Sequence, residues 1–134
     1  MEEEFTVDVP VRYRDLDTEN HVNNVVVGTY LEEARTAYVH EVMGLDLETY
    51  NFVLANLEID FGRPIVLEDD LTVAVSVSDI GETSATMVYD VRSAEETVAS
   101  GETTLVFVDP ETERPSPVPA EIRERILEFE GLDQ

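Results

Sequence analysis

The chain has 134 residues and a formal net charge of -23, from 31 acidic and 8 basic side chains. That length suits one domain, residues 1–134, around a single core, and a second domain is not expected. A surface so rich in carboxylates argues against nucleic acid or an anionic membrane as partner, and every basic residue is arginine, with no lysine at all.

The acids are spread through segments of regular apolar spacing rather than gathered in one block, which is the pattern of an ordered surface and not of an acidic tail. Such a surface suits molar salt, where ions screen the self-repulsion and carboxylates keep water bound, so a halophilic protein is expected. There is no cysteine, hence no disulfide framework, no thiol nucleophile and no thiolate metal site. Met1 to Glu4 lacks the basic and apolar regions of a signal peptide, and no apolar run approaches the ~18 residues of a membrane span. A cytoplasmic location is the default expectation.

Phe5, Val7, Val9, Val11 and Tyr13 alternate with Thr6, Asp8, Pro10 and Arg12, the period of a half-buried strand, with Pro10 setting it near an edge or bulge. A polar loop follows. Val27, Tyr30, Leu31, Ala34, Ala37, Tyr38 and Val42 then recur at helical spacing and predict a helix from about Val25 to Met43, capped by Asn23 or Asn24 and ended by Gly44. Roughly 28 Å long at 1.5 Å per residue, it would cross a whole sheet.

After a connector at Asp46 to Tyr50, the residues Val53, Ala55, Leu57, Ile59 and Phe61 form the apolar side of a second strand, broken by Gly62-Arg63-Pro64. Leu71 to Val77, Ala85 to Val91 and Val98 to Val108 complete five strands, with the short connectors of antiparallel neighbours. Pro115 and Pro117 lead stiffly into a short C-terminal helix, with Pro119 at a first helical position, a stripe of Ile122, Ile126, Leu127 and Phe129, and Gly131 at the end. The order is α+β, one curved antiparallel sheet wrapped around one long helix. Its edges and outer face would stay exposed, so a homodimer through sheet edges, or a homotetramer, is expected.

The loop Asp15-Leu16-Asp17-Thr18-Glu19-Asn20-His21-Val22-Asn23-Asn24, followed by a helix carrying Glu32-Glu33-Ala34-Arg35, resembles the signature of the hot-dog acyl-CoA thioesterases of the 4-hydroxybenzoyl-CoA thioesterase type. Ile59 to Pro64, Leu67 to Val73, Ile80-Gly81 with Ser84, and Ala99 to Asp109 with the exit at Arg114-Pro115 resemble the same family in the same order, so the likeness covers nearly the whole chain. It implies a hot-dog fold, active sites at a dimer interface, and hydrolysis of an acyl-CoA to free acid and coenzyme A without a metal or redox cofactor.

By that resemblance Asp17 is the catalytic carboxylate, able to attack the thioester carbonyl or to deprotonate the water that does, while helix amides stabilise the developing oxyanion. Asn24 aligns with the residue whose backbone amide polarises the carbonyl. His21 could tune Asp17 or hold the loop by hydrogen bonds, and Asn23 is treated similarly. Asp15 reads as structural. Arg63, beside a strand break, is the candidate for a coenzyme A phosphate contact, with an ion pair to nearby acids as the plainer role. The sequence departs from the family at Asn20, where many members have glycine, and at Val27, where many have tyrosine. Asn20 tolerates the positive φ that glycine serves, whereas Val27 puts the acyl preference in doubt.

Other chemistries fit less well. The loop from Asp15 only superficially matches a calcium site, since the glycine position holds Asn20 and the last ligand position Val26. Two histidines without cysteine argue against zinc, and there is no Gly-x-Ser-x-Gly elbow. A hot-dog dehydratase would pair aspartate and histidine five positions apart, whereas His21 follows Asp17 by four and Asp15 by six. A non-catalytic acyl-thioester-binding dimer remains the alternative from another class.

Overall fold

A computed structural model describes residues 4–46 and 51–132. The elements run β1 (Phe5–Pro10), α1 (Asn24–Glu41), β2 (Phe52–Phe61), β3 (Asp70–Ile80), β4 (Ser84–Ser93), β5 (Glu96–Phe107) and α2 (Ala120–Glu130). All five strands form one antiparallel sheet in the order β1-β3-β4-β5-β2, with α1 against its inner face. This is the α+β hot-dog architecture expected from the sequence.

The helix forms because its apolar residues share one side, and Val27, Tyr30, Leu31, Ala34, Tyr38 and Val39 are buried there. On the sheet, alternate residues Ala85, Met87, Tyr89 and Val91 of β4 point inwards and are buried. Tyr89 and Thr103 satisfy each other's hydroxyls at 2.7 Å inside that core. β3 outruns β1, whose Phe5 pairs with Val75, so the β3 edge beyond would be bare. The second helix covers it. Glu130 of α2 accepts from the Val77 amide at 2.9 Å and from the Tyr38 hydroxyl, tying β3, α1 and α2 together.

Three details differ from the sequence reading. β1 stops at Pro10 instead of running to Tyr13, because Tyr13–Asp15 turns into a 3₁₀ helix whose Asp15 carboxylate accepts from the Arg12 amide at 2.9 Å. In β2 the register shifts between Leu54 and Asn56, so Val53 pairs with Val106 on the outer face while Leu54 lies opposite inward-facing Leu105. The expected inward set therefore holds only from Leu57 onward. Pro119 is the N-cap of α2 rather than its first residue, and Gly131 ends that helix in the left-handed conformation as expected, with φ 70°. The connector expected at Asp46 to Tyr50 lies, after Asp46, outside the described residues.

Gly101 of β5 lies under α1 with no room for a side chain. A Cβ there would stand 2.7 Å from Leu31 Cδ1 and 3.2 Å from the Glu58 carbonyl oxygen, and Leu31 is fully buried with nowhere to yield. Gly101→Ala is expected to lower unfolding free energy by about 1–3 kcal/mol through overpacking, read from the denaturation midpoint. An unchanged midpoint would show that α1 does not rest on β5 in this way.

Candidate active site

The loop between β1 and α1 is held from both ends. Asp15, only 8% exposed, accepts at Oδ2 from the Tyr30 hydroxyl at 2.6 Å and from the Arg12 amide at 2.9 Å. Its carbonyl oxygen accepts from the Asn23 amide at 2.9 Å, which fixes the start of α1. Burial first, and then the Asp15 hydrogen bond, push the Tyr30 hydroxyl far above its ordinary pKa, so it remains a donor at every working pH. The Val22 amide donates to the Ile65 carbonyl at 2.7 Å and fastens the loop to the segment after β2. Asn20 takes φ 64°, the positive value expected for it.

Within this frame Asp17 is exposed. Its Oδ1 accepts from the Glu19 amide at 2.8 Å and from the His21 amide at 3.2 Å, and these hold the carboxyl below the ordinary aspartate value. Oδ2 accepts no hydrogen bond from the described residues. One oxygen is anchored and the other is open. At the helix start Asn23 is the N-cap, its side chain accepting from the Val25 amide at 2.9 Å. The Val26 amide donates to the Asn23 carbonyl at 2.9 Å, and the Asn24 amide is left without an acceptor among the described residues. That donor sits at the positive pole of an 18-residue helix.

Asp17, His21, Asn24 and Arg63 all line one cleft of about 300 Å³, with Val22, Val27 and Ile65 as buried apolar wall and Phe61 at the β2 side. Asn23 does not line it. Val27 stands out in the sequence for its bearing on the acyl group, whereas Val22, Ile65 and Phe61 escape the sequence reading, since nothing in periodicity tells a core valine from a cleft valine. A larger hollow of about 470 Å³ between Phe5, Val42 and Phe129 lacks any comparable convergence of a free carboxylate and a free amide. Among the described residues no three histidine or carboxylate side chains gather to hold a metal ion.

Arg63 is already engaged. Nη1 and Nη2 grip Asp69 at 3.0 and 2.9 Å, Nη1 also reaches the Pro64 carbonyl at 2.9 Å, and Nε reaches Glu96 at 3.3 Å. Those bonds use four of its five N–H groups. Asp69 in turn accepts from the Val66 amide at 2.8 Å and the Ser93 hydroxyl at 2.7 Å. The Arg63 hydrogen bond, followed by those of Val66 and Ser93, outweighs partial burial and holds the Asp69 carboxyl well below the usual carboxylate range.

A model of the thioesterase-like superfamily matches residues 11–126, and the chain belongs to that superfamily. Among its relatives is the long-chain acyl-CoA thioesterase FadM of Escherichia coli K12, 29% identical over 123 residues, which are 88% of this chain and 93% of that protein. A thioesterase of Thermus thermophilus, crystallised with coenzyme A and zinc, is 40% identical over 96% of both chains, with a TM-score of 0.89. A thioesterase-superfamily protein of Jannaschia sp. CCS1 superposes with a TM-score of 0.84 at 25% identity, over 92% of this chain and 90% of that one.

The Asp69 clamp carries a pH signature. Because its folded pKa is depressed, its contribution is complete above the unfolded value of 3.8 and is lost as pH falls through the folded value. Asp69→Asn should cost about 1–2 kcal/mol at neutral pH, a figure discounted for the partial exposure of Arg63. The gap between the two proteins should close only below pH 3.8, in denaturant titrations across pH. A gap that closes between pH 5 and 7 would contradict the assignment.

Proposed function

We propose that this protein is an acyl-CoA thioesterase of the 4-hydroxybenzoyl-CoA thioesterase type, splitting an acyl-CoA into free acid and coenzyme A in the cytoplasm. The observation that carries this reading is that one cleft is lined by both Asp17, with one carboxylate oxygen unbonded, and Asn24, with its amide unfilled. Asp17 attacks the thioester carbonyl carbon or takes the proton of the attacking water. The C–S bond then breaks and coenzyme A leaves as a thiolate that takes up a proton. On the first route water hydrolyses the Asp17 acyl anhydride to free acid and restored carboxylate. The carbonyl oxygen, as it gains charge, is met by the Asn24 amide at the helix pole. His21 lends its backbone amide to Asp17 and lines the same cleft. Asn23 acts by capping the helix that presents the Asn24 amide, and Arg63 keeps one N–H for the coenzyme A arm. No metal or redox cofactor enters these steps.

The active unit in this proposal is a homodimer. β2 is an unpaired sheet edge, and it exposes Val53, Leu54, Leu57 and Phe61 by 44% to 51%. A second copy laid antiparallel along β2 would bury this strip, and because Phe61 also lines the cleft, it would close the site on that side. The net charge of -23 per chain opposes that association. Its repulsion acts over about 10 Å at 0.1 M salt but only about 3 Å at 1 M, which supports the halophilic reading.

Asp17→Asn keeps size and most hydrogen bonds while removing the anion, and turnover should fall by ~100-fold or more, measured as free thiol released from an acyl-CoA panel. Near-normal turnover would instead favour a binding dimer in which Asp17 is idle. Asn24→Ala keeps the backbone amide and should act weakly, whereas Asn24→Pro deletes it at a first helical position where proline is tolerated. Equal activity in the two would refute the oxyanion role. Lowering KCl from molar to ~0.1 M should abolish dimer and activity together. A fully active dimer in dilute buffer would end the halophilic reading alone.

A further inference from the structure

We propose that Arg12, Tyr13 and Arg14 form the docking site for the nucleotide end of the thioester, the two guanidinium groups taking its phosphates and the Tyr13 ring its base; this rests on the thioesterase reading above. Most of the few positive charges are already spent inside the molecule. Of 8 basic residues, Arg63, Arg92 and Arg125 are ion-paired. Arg35 donates to the Tyr89 hydroxyl and Arg123 to the Gly81 carbonyl. The side chains of Arg12, Arg14 and Arg114 are exposed and make no ion pair or hydrogen bond with the described residues. In a chain with 31 acids, these guanidinium groups are held by no ion pair among the described residues. Two of these three flank one residue.

That residue is Tyr13, 79% exposed, whereas Tyr30, Tyr38 and Tyr89 are buried. Its backbone is nonetheless fixed, since the 3₁₀ turn is closed by Asp15 N to Arg12 O at 2.8 Å and Leu16 N to Tyr13 O at 3.1 Å, and is pinned by the buried Asp15 carboxylate. A ring presented on a rigid backbone loses little freedom on stacking against a base, and unpaired guanidinium groups on the two neighbouring residues suit phosphate oxygens. Arg63, neutralised by Asp69 and Glu96, has one N–H left for the coenzyme A arm but no uncompensated charge for the phosphates. The position is also right. Arg14 precedes Asp17 by three residues, a Cα separation of at most ~11 Å, so phosphates held there lie within an extended arm's reach of the open carboxylate. The acidic surface repels an anionic substrate, and this turn puts two unpaired cations close in sequence to Asp17.

The test titrates free coenzyme A, and pantetheine as the same arm without a nucleotide, into the full chain at the salt that maintains its fold. Arg12→Ala/Arg14→Ala should weaken coenzyme A by ~10-fold or more and leave pantetheine unchanged. Tyr13→Ala should weaken coenzyme A several-fold, and Arg14→Lys should retain most of the affinity. Arg114→Ala, which removes one charge elsewhere, should bind as wild type. In turnover, the double substitution should raise KM for an acyl-CoA without lowering kcat, and should leave hydrolysis of the acyl-pantetheine unchanged. Wild-type affinity in the double variant, or equal weakening by Arg114→Ala, would overturn the proposal. The two readings fail separately. A chain that binds coenzyme A through these residues but hydrolyses nothing keeps the docking site and loses the thioesterase, whereas hydrolysis indifferent to the double substitution does the reverse.

Discussion

The buried carboxylate of Asp15 is the constraint on which the rest of the site depends. One oxygen takes both the Tyr30 hydroxyl, two turns along α1, and the Arg12 amide, while the backbone carbonyl of the same residue takes the Asn23 amide. Three parts of the chain are thereby fixed to one another: the 3₁₀ turn after β1, the loop that follows, and the first turn of the helix. A buried carboxylate is costly unless its lone pairs are filled, so losing any one of these donors would penalise the whole arrangement. The chemistry then needs no special strain. Asp17 hangs from a loop whose two ends are set, with one oxygen held by amides and the other open.

The same frame explains a division of labour among charges. Anionic groups at the cleft are few and individually placed, whereas the many remaining acids face solvent. Most arginines are spent inside the molecule, and the clearest case is Arg63, which braces the wall of the cleft through Asp69 and Ser93. Such a brace shapes a site without making it positive. Positive potential must come from elsewhere, and the exposed arginines of the 3₁₀ turn stand on the element that Asp15 pins. Position and charge are thus set by one local structure.

The fold was legible because it is written in periods. Helical spacing marked α1 and alternation marked the strands, and each failure has a local cause. Val53 and Leu54 are both apolar, so alternation could not reveal the bulge that inverts them. Asn23 and Asn24 are identical neighbours, and only the hydrogen bonds decide that the first caps the helix and the second offers its amide. Tyr30 fits the core stripe, yet its hydroxyl serves a carboxylate fifteen residues earlier, a pairing that no spacing rule contains. Arg63 was legible as either a ligand contact or an ion pair, and the ion pair is formed by a turn that brings Asp69 back upon it, which no spacing rule foretells.

The pH dependence of kcat/KM tests the central claim most directly, with Asp17 as the ionised group that acts on the thioester. Backbone amides hold its carboxyl below the ordinary value of 3.8, so the rate is expected to stay level from neutral pH down to about pH 4 and to fall only below 3.8. Brief exposure of the enzyme to each acidic buffer keeps unfolding out of the measurement. A rate that instead falls with a midpoint near ~6.5, the ordinary histidine value, would place the essential proton on His21 and contradict the role assigned to Asp17.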